Sequence, residues 1–227
     1  MAKYTVKFVK GDYTARQEAA NALKAVAYVE HHFNSGPSTA GYVSVVVGSN
    51  ASQTSKNWGR WYAQAIGNAF GVKLYQPDGV VVGGFGGRGD GNLKYTRMPA
   101  LLLEPLFCSN PLHAGWIRSA QGQQRLAEVL ADSIRRFFPD GGTIAFSVGH
   151  KYKTSSPKDR GAEVFGGGME ADYAELVLKA AQALLEGEPA AALDQVKIRR
   201  GDALLQAIDV DPDTELRWDP VTKTLYL

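Results

Sequence analysis

Three apolar runs in this 227-residue chain end at a titratable side chain, and they alternate with segments of helical period. Residues 26–32 (VAYVEHH) close on His32, residues 100–104 (ALLLE) close on Glu104, and residues 143–148 (TIAFSV) lead into Gly149 and His150. Residues 3–9 (KYTVKFV) alternate as a half-buried strand does, and 42–47 (YVSVVV) form another β-branched run. Helical segments are expected at about 14–25, 55–70, 119–137 and 169–185. Strands alternating with helices pack as an α/β fold, a central mostly parallel sheet with helices on both faces. Sites in such sheets lie beyond the carboxyl ends of the strands. His32, Glu104 and His150 are therefore expected to converge on one cleft, which Glu170 could close from the start of the last long helix.

The apolar positions of each helix set its inward face. Ala19, Ala22, Leu23 and Val26 are expected to face inward from the first helix. Trp58, Tyr62, Ile66 and Phe70 form an aromatic stripe read as core in the second. Leu126, Val129, Leu130, Ile134 and Phe137 do the same for the third, which Pro139-Asp140-Gly141-Gly142 ends. Residues 78–92 hold seven glycines and read as a flexible loop or hairpin tip. Their GxG-like runs do not follow a strand and open a helix, so they do not signal a nucleotide site. The RGD triplet Arg88–Asp90 is too short to indicate adhesion. The tail from Pro189 changes character, with a short helix expected near 202–207 and a terminal hairpin. This divides the chain into a catalytic domain, 1–188, and an extension, 189–227.

Composition narrows the chemistry. The formal net charge is +2, which advertises no polyanion field, so nucleic acid is not the expected partner. Cys108 is the single cysteine, which excludes an intrachain disulfide and a cysteine zinc cluster. A metal site must then use His, Asp or Glu, and the histidines are His31, His32, His113 and His150. Two histidines and a carboxylate suit a catalytic zinc, with a position left for water. His32, His150 and Glu170 are the candidate ligands, and Glu104 is the candidate general base. Neighbours on a strand point to opposite faces, so only one of His31 and His32 should reach a metal. His113 is expected to have a surface or substrate-lining role at most. No run approaches the length of a membrane span.

At these same residues the sequence resembles the zinc-dependent N-acetylmuramoyl-L-alanine amidases of the Amidase_3 type. The resemblance rests on Gly149-His150 with Asp159-Arg160-Gly161-Ala162, and on Glu170 opening a helix. It continues through Arg16 with Ala20-Asn21, then Glu30-His31-His32-Phe33-Asn34, where Glu30 replaces the family's serine. It ends on Pro99-Ala100-Leu101-Leu102-Leu103-Glu104 and the turn Ser109-Asn110-Pro111. The His-x-Asn register assigns His32 to the metal. The blocks that hold His150 and Glu170 come after the others, so the resemblance implies a circularly permuted chain joined through Phe138–Gly142. It implies hydrolysis of the amide between N-acetylmuramic acid and L-alanine in peptidoglycan, with Zn2+ as cofactor and Asn34 and Asn110 facing substrate. The N-terminus reads MAKYTVKFVKGD, with no apolar signal stretch. The expectation is synthesis in the cytoplasm and action on the wall after release, as a phage or prophage lysin. The alternatives are a non-catalytic wall-binding or virion-associated protein, and a zinc carboxypeptidase that recruits Arg97 and Asn110 to hold a free carboxylate.

Overall fold

The computed structural model describes residues 3–187 in full and, beyond them, the strand backbones at 194–200, 203–210, 217–219 and 224–226. Within the described residues the chain clusters into two units, Met1–Glu188 and Pro189–Leu227.

The first unit is built on a six-stranded sheet. In chain order its strands are β1 (Tyr4–Phe8), β2 (Ala27–His31), β3 (Ser44–Val47), β4 (Val80–Val82), β5 (Ala100–Glu104) and β6 (Gly142–Val148). Their spatial order is β1-β6-β2-β5-β3-β4. The first four of these neighbours run parallel. β3 runs antiparallel to β5 and β4 runs parallel to β3. The carboxyl ends of β2, β5 and β6 therefore lie on one edge with the start of β3, where Ser44 pairs with Glu104. The mostly parallel α/β architecture expected from the alternation is the one found.

The two faces of the sheet are covered unequally. Helices α2 (Gln53–Phe70), α4 (Ala120–Phe137) and α5 (Glu170–Glu186) pack on one face. Trp58, Tyr62, Ile66, Leu126, Leu130, Ile134, Val177 and Leu178 are all fully buried there against Val29, Val45, Leu101 and Phe146. Burial of each large apolar side chain contributes about 1.5–3 kcal/mol before entropy is counted. Ser52 caps α2 by accepting from Ser55 N at 3.2 Å, and Gly71 ends it in the left-handed region at φ 65°.

The other face carries α1 (Tyr13–Ala22) and the segment between β4 and β5, over a smaller cluster of Val9, Ala20, Tyr28, Val46, Leu93, Leu102 and Ala145. Here the expected inward face of α1 needs correction. Ala22 is exposed and Leu23 is 40% exposed, whereas Arg16, Gln17 and Ala20 are buried. Hydrophobic period missed this because the buried groups are polar and satisfied. Arg16 Nε donates to Gly11 O at 2.6 Å, and Nη1 donates to Ser147 Oγ at 2.8 Å and Val148 O at 2.9 Å. Its Nη2 donates to Lys151 O. The inter-strand segment 78–92 contains the edge strand β4 and a tight turn rather than loop alone. A short helix, α3 (Pro111–Arg118), follows β5, with Asn110 as its cap and Pro111 at its start.

In the second unit, β7 (Asp194–Arg200) pairs antiparallel with β8 (Ala203–Val210), and β9 (Arg217–Asp219) with β10 (Thr224–Tyr226). The helix expected near 202–207 is therefore a strand, since pairing with β7 overrides the helix preference of its Ala and Leu residues. The terminal hairpin is present. No helix among the described residues is long and apolar enough to cross a membrane.

Candidate metal centre and cleft

The strand ends build the site in steps. All five residues of β2 are buried, and side chains alternate between faces along it. Tyr28, Glu30 and His32 fall on the thinly covered face, and Val29, His31 and Phe33 on the helical face. His32, at the end of the strand, meets the helix opened by Glu170: Nδ1 lies 3.1 Å from Glu170 Oε1. From the end of β6, His150 brings Nε2 to 3.4 Å from the same oxygen. One ligand atom from each of His32, His150 and Glu170 lies within 4.8 Å of the others.

Two glycines make this convergence possible. A Cβ on Gly149 would stand 2.5 Å from the His32 ring. A Cβ on Gly161, at φ 75°, would stand 2.4 Å from Glu170 Oε2 and 2.8 Å from His150 Cδ2. Any side chain at either position would push a site residue out of place. His150 itself is held in the left-handed region at φ 61°, a strained conformation for a non-glycine residue that is characteristic of functional sites.

Each histidine has one nitrogen on the shared carboxylate and the other on an outer one. His32 Nε2 lies 2.9 Å from Glu30 Oε1, and His150 Nδ1 lies 3.0 Å from Asp159 Oδ1. This is the pattern in which an outer acid fixes the tautomer and orientation of a metal-binding ring. Glu30 is fully buried and also accepts from Asn92 Nδ2 at 2.6 Å, Tyr28 OH at 2.9 Å and Ser147 Oγ at 3.1 Å. Arg16 Nη1 stands 3.7 Å from it. Asp159 is tied to Lys153 Nζ at 2.8 Å and to Gly161 N at 3.0 Å. The remaining Glu170 oxygen accepts from Ala162 N at 3.0 Å.

Electrostatics follow from these contacts. Burial favours the neutral form of His32, but its bonds to Glu170 and Glu30 outweigh burial and push its pKa up to about 10. Burial also opposes ionisation of Glu30, yet His32, Arg16 and Asn92 hold it at about 2. Glu170 is lowered in spite of burial by His150 and His32. Two imidazole rings meet one carboxylate oxygen in the places of metal–ligand contacts, so the donor set suits a zinc ion in chemistry, number and spacing. Glu104 behaves differently. Burial raises its pKa, with His32 and Arg88 opposing and Glu170 adding to the rise.

A cleft of about 530 Å³ opens above these groups. Its lining includes His32, His150, Glu170, Glu104 and Asn34, with Tyr13, Phe85 and Arg88 on the walls and Val46 and Leu102 on the sheet floor. It lies on the thinly covered face, where a glycine-rich loop stands in place of a helix. Asn110 is not among the lining residues. Its Oδ1 accepts from Leu112 N at 3.0 Å, capping α3, and its Nδ2 donates to Ala40 O at 2.9 Å. Arg97 lines a different hollow, of about 330 Å³. His113 is neither on the surface nor in the cleft: it is 5% exposed, and its Nδ1 accepts from Phe107 N at 3.1 Å. The sequence marks Glu30 only as a departure from the family's serine, and its Arg16 and Asn92 partners escaped sequence reasoning as site residues. The replacement of serine by glutamate two residues before His32 was the available signal.

The sequence matches the family model described as N-acetylmuramoyl-L-alanine amidase, Amidase_3, over residues 3–136. No curated protein matches it. Among solved structures, the catalytic domain of CwlV, an N-acetylmuramoyl-L-alanine amidase from Bacillus (Paenibacillus) polymyxa var. colistinus, is 26% identical with a TM-score of 0.47. That match covers 56% of this chain and 66% of the other. An N-acetylmuramoyl-L-alanine amidase from Clostridium difficile 630 is 22% identical with a TM-score of 0.49, over 56% of this chain and 66% of that one. Ami1 from Mycobacterium smegmatis is 22% identical with a TM-score of 0.46, over 53% and 57%.

Proposed function

Because this chain belongs to the Amidase_3 family of N-acetylmuramoyl-L-alanine amidases, we propose that it is a zinc-dependent enzyme that cleaves peptidoglycan between N-acetylmuramic acid and L-alanine. One observation carries the reading: His32, His150 and Glu170 come within 4.8 Å of one another at the floor of a cleft that Glu104 also lines. His32, His150 and Glu170 would hold the metal. When bound there, Zn2+ supplies a Lewis acid for the amide carbonyl and acidifies water. Glu104, whose carboxyl burial pushes upward, takes the proton from the attacking water and delivers it to the departing amine of L-alanine. Glu30 and Asp159 keep the two imidazoles oriented throughout. Asn34 lines the same cleft and would contact substrate.

The test is digestion of purified peptidoglycan, with mass spectrometry of the products. The expected outcome is release of peptides with a free L-alanine amine, abolished by a chelator, restored by zinc and lost in Glu104→Ala. A released carboxyl-terminal residue would instead identify a carboxypeptidase. A folded, zinc-loaded protein that leaves the polymer intact would identify a binding protein. Against the carboxypeptidase, neither Arg97 nor Asn110 lines the cleft.

The order of the blocks supports a circular permutation. The family match ends at residue 136, at the end of α4, and leaves β6, His150 and α5 outside it. The end of α5 lies beside β1, where Val6 N donates to Glu186 Oε1 at 2.6 Å. A chain recut at 139–140, with residue 187 linked to residue 3, should fold and bind one zinc. Failure to fold with several linker lengths would count against the permutation.

A further inference from the structure

The cleft is lined by acids, yet one wall carries a cation that the proposed mechanism does not use. Among the described residues, Arg88 is the only lysine or arginine that lines the cleft. Glu104 and Glu170 line the same cleft, and the fully buried Glu30 stands against His32. Arg88 is exposed at the rim, and among the described residues it enters no salt bridge, whereas the more buried cations near the site, Arg16 and Lys153, are both paired. Its charge is felt within the cleft, where it lowers the pKa of Glu104 against the effect of burial.

The backbone around Arg88 is well defined. Phe85 N donates to Arg88 O at 3.0 Å, and Arg88 N donates to Phe85 O at 3.2 Å. This closes a tight turn through Gly86 and Gly87, both at positive φ, which favours a two-residue hairpin loop. The turn is anchored on both sides. Phe85 packs edge-on against Tyr75 at 5.3 Å, and Asp90 accepts from Ser49 N at 2.7 Å. A guanidinium presented from an anchored turn, unpaired and facing an acid-lined cleft, is suited to fork a carboxylate. Away from the proposed metal centre, Arg88 is the cationic side chain that the cleft wall offers to an anionic group of the substrate.

We propose that Arg88 is a specificity residue that binds a carboxylate borne by the stem peptide of the substrate. The proposal rests on the amidase reading and names the chemistry that the cleft selects. The carboxylate could come from the second or the third residue of the peptide, and both sources share the same recognition.

The experiment uses the full zinc-loaded chain in a Glu104→Gln background, so that ligands bind without being cleaved. The probes are muramyl tripeptides that differ only in a carboxylate or carboxamide at the second residue, and a further pair that differ only in a side-chain carboxylate at the third. Affinities are read by calorimetry. At least one carboxylate-to-carboxamide exchange is expected to weaken binding roughly tenfold, in line with a charge-assisted hydrogen bond. Arg88→Gln should bring the two members of that pair to the same Kd, and Arg88→Lys should keep part of the difference. Equal affinities within both pairs, a difference that survives Arg88→Gln, or no binding of any probe would overturn the proposal. Turnover of the same compounds by the unsubstituted protein tests the amidase reading separately. Discrimination without turnover would sink that reading and leave the subsite, and turnover without discrimination would do the reverse.

Discussion

The two histidines of the candidate metal centre face the same carboxylate but are held in opposite ways. His32 ends a strand whose residues are all buried, and its side chain is 9% exposed. Its outer partner Glu30 sits two residues earlier on the same strand, inside a network of Arg16, Asn92, Tyr28 and Ser147. His150 lies beyond the end of β6 in a left-handed conformation, with its side chain 28% exposed. Its outer partner Asp159 is in the same loop and pairs with Lys153, also in that loop. Sheet register positions the first ring and a local loop positions the second. Perturbing the first should therefore disturb the whole domain, whereas perturbing the second should open only a local unit.

Substitution of the two outer acids side by side gives the largest expected effect and breaks the comparison if it is wrong. Glu30→Ala leaves the fully buried Arg16 without its counter-charge and should cost about 3–5 kcal/mol of stability. Asp159→Asn removes a charge that is 29% exposed and should change stability by about 1 kcal/mol or less. It should still weaken zinc binding about 10–100-fold, because the His150 ring loses its orienting partner. Urea denaturation of the metal-free proteins reads the first quantity, and competition with a chromogenic chelator reads the second. If Asp159→Asn proved as destabilising as Glu30→Ala, the His150 loop would be part of the global folding unit and the contrast would fail.

The same contrast governs what could be read from sequence. Strand ends were legible because a β-branched run and its terminal polar residue are adjacent in the chain. Register and burial then follow with little dependence on distant residues. His32, Glu104 and His150 were found in this way and Glu170 as the opening residue of the following helix, and the structure brings all four to one cleft. Arg16 was not legible as a buried group, because three of its four acceptors come from residues 131 to 135 positions away in sequence. Periodicity therefore assigned part of the inward face of α1 to Ala22 and Leu23, which the fold leaves at the surface, while Ala19 and Val26 do pack against the core. Asn92 was hidden in a glycine-rich stretch that looked unstructured, and Arg88 was visible only as part of a common triplet. β8 reads as a helix in isolation, since strand pairing is a property of two segments together.

His31 offers the smallest effect and the sharpest check on which neighbour belongs to the metal. It is fully buried on the helical face, its ring edge-on to Phe33 at 5.0 Å, and neither ring nitrogen has a hydrogen-bond partner among the described residues. Burial and the neighbouring His32 keep the ring neutral, holding its pKa down at about 3. Two desolvated nitrogens without partners are a cost that an apolar side chain of similar size would not carry. His31→Leu should therefore leave stability unchanged or raise it by about 1 kcal/mol, with cavity formation and lost ring packing limiting the gain. Zinc affinity should stay within a factor of two or so, because alternation along β2 directs this residue away from the cleft. His32→Leu in the same assay should abolish zinc binding. If His31→Leu also abolished it, while the domain stayed folded, the register of β2 would no longer explain why His32 alone reaches the metal.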